Sequence, residues 1–198
     1  SFGSGFAEVS FTIDTLPPTL TITSPAINSY QKSNTPQLVY AANEGTVVVT
    51  VDGTIAAKRS GDTLDPLADG VHLVRVESTD LAGNFTFAET RFTVDTIAPT
   101  VTIASPAGGS TIGQTPLLQF TASDGKVAVK VDGAAVTSGS GSHLDRLAAG
   151  THTARVEASD PAGNIGYAES TFTVVESPAI AITSPVADRK SPRRTPVT

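Results

Sequence analysis

The chain has 198 residues and a formal net charge of −6, and it contains no cysteine, methionine or tryptophan. The acidic balance disfavours nucleic acid or an anionic membrane as partner, and without cysteine there are no disulfides. No apolar run approaches the roughly 20 residues that span a bilayer, so this segment carries no membrane span, and its length fits two small domains by the soft prior of about 100–200 residues each.

The same text occurs twice, about 80 residues apart, a period long enough for whole small domains rather than solenoid units. Val51-Asp52-Gly53 returns as Val131-Asp132-Gly133, and Leu64-Asp65-Pro66-Leu67 as Leu144-Asp145-Arg146-Leu147. Asp80-Leu81-Ala82-Gly83-Asn84 returns as Asp160-Pro161-Ala162-Gly163-Asn164, and Phe92-Thr93-Val94 as Phe172-Thr173-Val174. The ends fall inside the repeat. Residues 1–15 match the closing strand of a copy, 16–96 and 97–177 are complete copies, and 178–198 match an opening strand. Lone strands are not independently stable, so both end pieces are expected to be held by neighbouring copies of the same repeat or chain.

Within one copy, Leu20-Thr21-Ile22 alternates and stops at Ser24-Pro25, which predicts a first strand. Leu38 and Tyr40 share one face of the next, as do Leu118 and Phe120 in the second copy. Val47, Val49 and Val51 alternate with Val48 and Thr50, and Val127, Val129 and Val131 with Ala128 and Lys130; the odd-numbered valines are expected to point inward. Asp52-Gly53 then supplies the residues a tight two-residue hairpin needs. The spacing at Leu64–Leu67 allows at most one helical turn. The next strand places His72, Val74 and Val76 inward and Leu73, Arg75 and Glu77 outward, with His152, Ala154 and Val156 repeating the inward set. Ala82-Gly83-Asn84 turns into a last strand ending Phe92-Thr93-Val94. No stretch has sustained helical periodicity. Short β-branched runs punctuated by turn residues predict an all-β sandwich.

Asp-X-Ala-Gly-Asn, an alternating strand ending Phe-Thr-Val-Asp-Thr, and then Ala-Pro-Thr-Val-Thr-Ile together resemble the tandem bacterial immunoglobulin-like repeats of extracellular surface proteins and adhesins. The resemblance covers nearly the whole chain. It implies tandem immunoglobulin-like seven-stranded β-sandwiches joined end to end, an extracellular or cell-surface location, and a stalk or adhesive role. In such sandwiches a tyrosine often stands where His72 and His152 fall, so both histidines are expected to be structural, each with a hydrogen bond to backbone. His143 sits alone in a Ser/Gly loop and is expected to be exposed.

No catalytic set emerges: there is no Gly-X-Ser-X-Gly with partners, and Ser140 lies in a flexible Ser-Gly loop. In a seven-stranded sandwich the exit residue of one copy meets two loops of the next. That gathers Asp14 with Asn43, Glu44, Asp80 and Asn84 at one junction, and Asp95 with Asp124, Asp160 and Asn164 at the other. Two readings stay open. Converging oxygens at about 2.3–2.6 Å suit calcium; alternatively Asp80 and Asp160 open turns by bonding backbone N–H groups, with Gly83 and Gly163 at positive φ. The third junction has Val175-Glu176 in place of the exit aspartate. The basic cluster Arg189, Lys190, Arg193 and Arg194 is expected in a solvated loop. Linkers 14–19 and 95–100 carry proline and predict a semi-rigid rod.

A repeat array with no catalytic signature points to a non-enzymatic structural array, the shaft of an adhesin or the body of a filament. A loop-based binding module for carbohydrate or host protein ranks lower, because the few aromatics mostly fall at positions assigned to the core. An accessory array beside a catalytic or redox domain is the third alternative.

Overall fold

The structure, a computed structural model, describes residue 5 and residues 7–177. The chain divides into two compact units. The first extends to Thr102 and also holds Thr121–Ala128 and Val156–Ala168; the second holds Ile103–Phe120, Val129–Arg155 and the chain from Glu169 on. Among the described residues all regular elements are strands.

The first repeat contains β1 (Leu20–Ser24), β2 (Tyr30–Gln31), β3 (Val39–Ala42), β4 (Thr46–Val51), β5 (Thr54–Ala56), β6 (Gly70–Thr79) and β7 (Phe85–Val94). β1 pairs with β3, and the second sheet runs in the order β2-β7-β6-β4-β5. This is the expected seven-stranded sandwich. Asp52 at φ 51° and Gly53 at φ 80° make the hairpin between β4 and β5, where positive φ at both central residues matches the strand twist. The core holds Leu38, Val49, Leu64, Val74, Val76, Phe92 and Val94, with Leu20, Ile22 and Tyr40 packed on it. Each such side chain contributes about 1.5–3 kcal/mol by leaving water.

The second repeat contains β8 (Val101–Ser105), β9 (Thr111–Ile112), β10 (Leu117–Ala122), β11 (Lys126–Val131), β12 (Ala134–Val136), β13 (Ser142–His143), β14 (Gly150–Ser159) and β15 (Ile165–Val174). Its sheets run β13-β10-β8 and β12-β11-β14-β15-β9. Leu118, Val129, Val131, Leu144, Val156, Phe172 and Val174 are buried. His143 lies exposed on β13, opposite Leu117.

Two expectations need correction. Val127 is exposed, unlike Val129 and Val131, because it lies at the very start of β11, where the sandwich no longer covers the alternating face. (Leu64–Leu67 stays within its expected limit of one helical turn: Leu64 N donates to Pro36 O and Leu67 N to Asn34 O, so the segment lies alongside 34–36.) Among the described residues, most aromatics do not serve the core. Phe92 and Phe172 are buried, whereas Phe85, Phe87 and Tyr167 lie outward on the sheet.

Residues 7–15 form no strand, and Val9, Phe11 and Ile13 are exposed, although their counterparts Thr90, Phe92 and Val94 are buried. The expected opening strand at the other end and its basic cluster lie outside the described residues. Among the described residues no helix is long and apolar enough to cross a membrane.

Candidate functional site

The turn after each long hairpin strand builds the same polar knot twice. Asp80 Oδ1 accepts from Asn84 N at 2.9 Å and Oδ2 from Asn84 Nδ2 at 2.9 Å. Asp80 N donates to Asn84 O, and Gly83, at φ 90°, donates its N–H to Asp80 O. Asp160 and Asn164 repeat this at 2.8 Å for both carboxylate bonds. The Asn84 side-chain amide holds Asp80 below the usual carboxylate range, and backbone amides add to it. Burial pushes Asp160 upward, but Asn164 and the turn amides outweigh it, so its pKa is lowered as well.

The spare N–H of each asparagine reaches the residue that closes the preceding segment. Asn84 Nδ2 donates to Asp14 O at 3.1 Å and Asn164 Nδ2 to Asp95 O at 2.8 Å. The knot therefore brings Asp14, Asp80 and Asn84 together, and likewise Asp95, Asp160 and Asn164, but through the backbone carbonyls of Asp14 and Asp95. Their carboxylates turn away: Asp14 Oδ1 accepts from Leu16 N and Asp95 Oδ1 from Ile97 N, the two-residue Asx turn. Asn43 caps the start of β1, accepting from Thr19 N at 2.7 Å. Glu44 shares an open pocket with Asp14 and Asp80, and Asp124 is exposed in the turn ahead of β11. Among the described residues no three of His, Cys, Asp and Glu converge as metal ligands.

A second repeated constellation joins the hairpin turn to the histidine strand. His72 Nδ1 lies 2.7 Å from Asp52 Oδ2 and Nε2 2.8 Å from Ala68 O. Asp52 Oδ1 accepts from Leu73 N at 2.9 Å. His152 repeats the pattern with Asp132 Oδ2 at 2.6 Å and Ala148 O at 2.9 Å, and each imidazole tilts against the core phenylalanine, Phe92 or Phe172. Both ring nitrogens face acceptors, which the imidazolium alone satisfies. Burial of His72 works against its charge, but the Asp52 bond, the Ala68 carbonyl and the Asp52 charge outweigh it and raise its pKa. His152 is raised chiefly by the Asp132 bond. Burial raises Asp52, yet the His72 and Leu73 bonds leave it lowered; Asp132 is lowered chiefly by His152.

The expected backbone bond of each histidine is thus present. The aspartate partner escaped sequence reasoning, although a signal existed: Asp52 and His72 stand at the same separation as Asp132 and His152.

The model of the bacterial Ig domain family matches residues 99–156. Halomucin of Haloquadratum walsbyi is 34% identical over 111 residues, which is 51% of this chain and 1% of that protein. Fibronectin(III)-like modules of Clostridium thermocellum CbhA superpose with a TM-score of 0.51 at 18% identity, over 80% of this chain and 95% of theirs. Immunoglobulin domains 1–4 of Sidekick-1 give a TM-score of 0.44 at 14% identity, over 82% of this chain and 51% of theirs. At 18% identity the likeness to the CbhA modules speaks to fold alone.

Proposed function

We propose that this chain, in which residues 99–156 match the model of the bacterial Ig domain family and residues 16–96 repeat residues 97–177, is part of a non-enzymatic, extracellular structural array, the shaft of a surface adhesin or filament. The observation that carries the reading is the repeated junction bond, Asn84 to Asp14 O and Asn164 to Asp95 O. Each repeat commits a buried or half-buried amide to the backbone just ahead of it, a use of polar groups that serves spacing rather than catalysis. The proline-bearing linkers fit the same purpose. Likeness to a segment of halomucin supports a place outside the cell.

Small-angle scattering of the chain tests the shaft. Two repeats held by the Asn164 bond to Asp95 O are expected to give one extended particle whose distance distribution changes little between conditions. Asn164→Ala should broaden that distribution. A compact particle, or a distribution as broad before the substitution as after, would overturn the reading. Antibody labelling of intact cells tests the location.

A further inference from the structure

Four of the five strands of the first repeat that leave an edge open to solvent guard it, and one does not. On β3, Tyr40 N donates to Ser60 Oγ at 2.9 Å while Ser60 Oγ donates to Tyr40 O at 2.6 Å, so a hydroxyl stands in for a neighbouring strand. β1 is broken by a register shift between Ile22 and Ser24. β5 has three residues and β2 two. Bulges, shortness and covering groups are the usual protections of a strand edge.

β7 has none of these. It pairs with β6 over ten unbroken residues but meets β2 only at Thr93 and Val94. Arg91 O accepts from Asn28 N, Thr93 N donates to Ser29 O, and Asp95 N donates to Gln31 O, so odd-numbered residues turn their N–H and C=O away from β6. By the alternation of a strand, Phe85, Phe87 and Glu89 do the same. Among the described residues no strand faces them. Their side chains lie on the outer face, with Phe85 62% and Phe87 49% exposed. The Arg75 guanidinium stacks 3.7 Å over the Phe87 ring and bonds Glu89. The segment holds neither lysine nor proline.

We propose that β7 of a second copy of this chain pairs with this edge, antiparallel, with the two-fold axis at Phe87. The register follows from the groups themselves. Phe87 opposite Phe87 places Phe85 opposite Glu89 of the other copy on both sides, so all the outward N–H and C=O groups of the three residues on each copy find partners. A parallel, in-register pair would set Glu89 beside Glu89. The antiparallel pair moves the two carboxylates about 13 Å apart, four residues at about 3.3 Å each, beyond the screening length of physiological salt. The contact is isologous and closes on itself. It deepens the shaft reading, on which its biological sense rests, by giving the shaft a lateral partner.

The absence of cysteine makes cross-linking a clean test. Opposed residues of a hydrogen-bonded antiparallel pair have Cα atoms about 5.5 Å apart, within disulfide range. Under mild oxidation Phe87→Cys should form dimers at least ten-fold faster than Arg91→Cys. On the unaltered chain, the amides of Phe85, Phe87 and Glu89 should gain exchange protection as concentration rises. Phe87→Pro, which removes an outward N–H and leaves the bonds to β6 in place, should abolish that gain. Equal cross-linking at positions 87 and 91, concentration-independent exchange, or a Phe87→Cys thiol that joins a segment other than its own copy would each overturn the pairing. The scattering of the Phe87→Pro monomer tests the shaft separately.

Discussion

Raising the pH from about 6 to about 9 should weaken both sandwiches through His72 and His152. Each imidazole has Asp Oδ2 on one nitrogen and an alanine carbonyl on the other, and a neutral ring donates to only one of them. The sign is fixed by the direction of the shifts. A histidine whose folded pKa is raised stabilises fully below its unfolded value of about 6.5 and loses that contribution as pH rises through the folded value. Asp52 and Asp132, with lowered pKa values, contribute above about 3.9 and lose it as pH falls further. Stability should therefore peak between about pH 4 and 6.5. A hydrogen bond to a charged group contributes about 1.5–3 kcal/mol. Because the Asp52 and Asp132 side chains are 46% and 49% exposed, screening leaves about 1–2 kcal/mol per repeat, or roughly 4–16 °C in Tm for a domain of this size. Urea titrations at stepped pH read this directly, with His72→Gln and His152→Gln as the neutral comparison. Unchanged or rising stability of the parent between about pH 6.5 and 9, or the same slope in the double variant, would refute the reasoning.

Asn164→Ala, which removes donors to Asp160 and to Asp95 O from a buried site, should cost about 2–3 kcal/mol; Asn84→Ala, at a half-buried site, should cost less, and differential melting of the two variants ranks them. Gly125→Ala should destabilise strongly, since its Cβ would stand 2.5 Å from Ser159 O at φ +83°. Gly53→Ala, with open space around it at φ +80°, should cost only the backbone term of about 1–2 kcal/mol, and equal losses would show that the crowding is relieved elsewhere. Calcium against chelator is expected to leave the melting midpoint unchanged, because the Asp80 and Asp160 carboxylates already accept from amides. An upward shift with calcium would show that those carboxylates exchange amides for the ion.

What the sequence reveals follows from what is local. Val47–Val51 and the Asp52-Gly53 turn carry their own register, since a period of two and a two-residue loop leave one pairing, and β4, β5 and β6 form as that pattern requires. Phe92 and Phe172 are buried because both neighbours in each strand alternate outward. The polar bonds are harder to read because they depend on which strand lies beside which. Asp52 finds His72 only because β4 and β6 pair with Val51 opposite Val74, which carries the turn past the end of the strand to Leu73. Ser60 finds Tyr40 through a loop whose path no period encodes. At the junctions the bonds depend on which atom of a residue is offered, and residue type does not encode that. Convergent aspartates suggested their carboxylates, yet Asp14 and Asp95 offer Asn84 and Asn164 a carbonyl, because a carboxylate two residues ahead of a free N–H closes on its own backbone first. A side chain with a near, covalently tethered donor loses little entropy in satisfying it, and that competition decides whether acidic residues at such a joint serve a ligand or the chain itself.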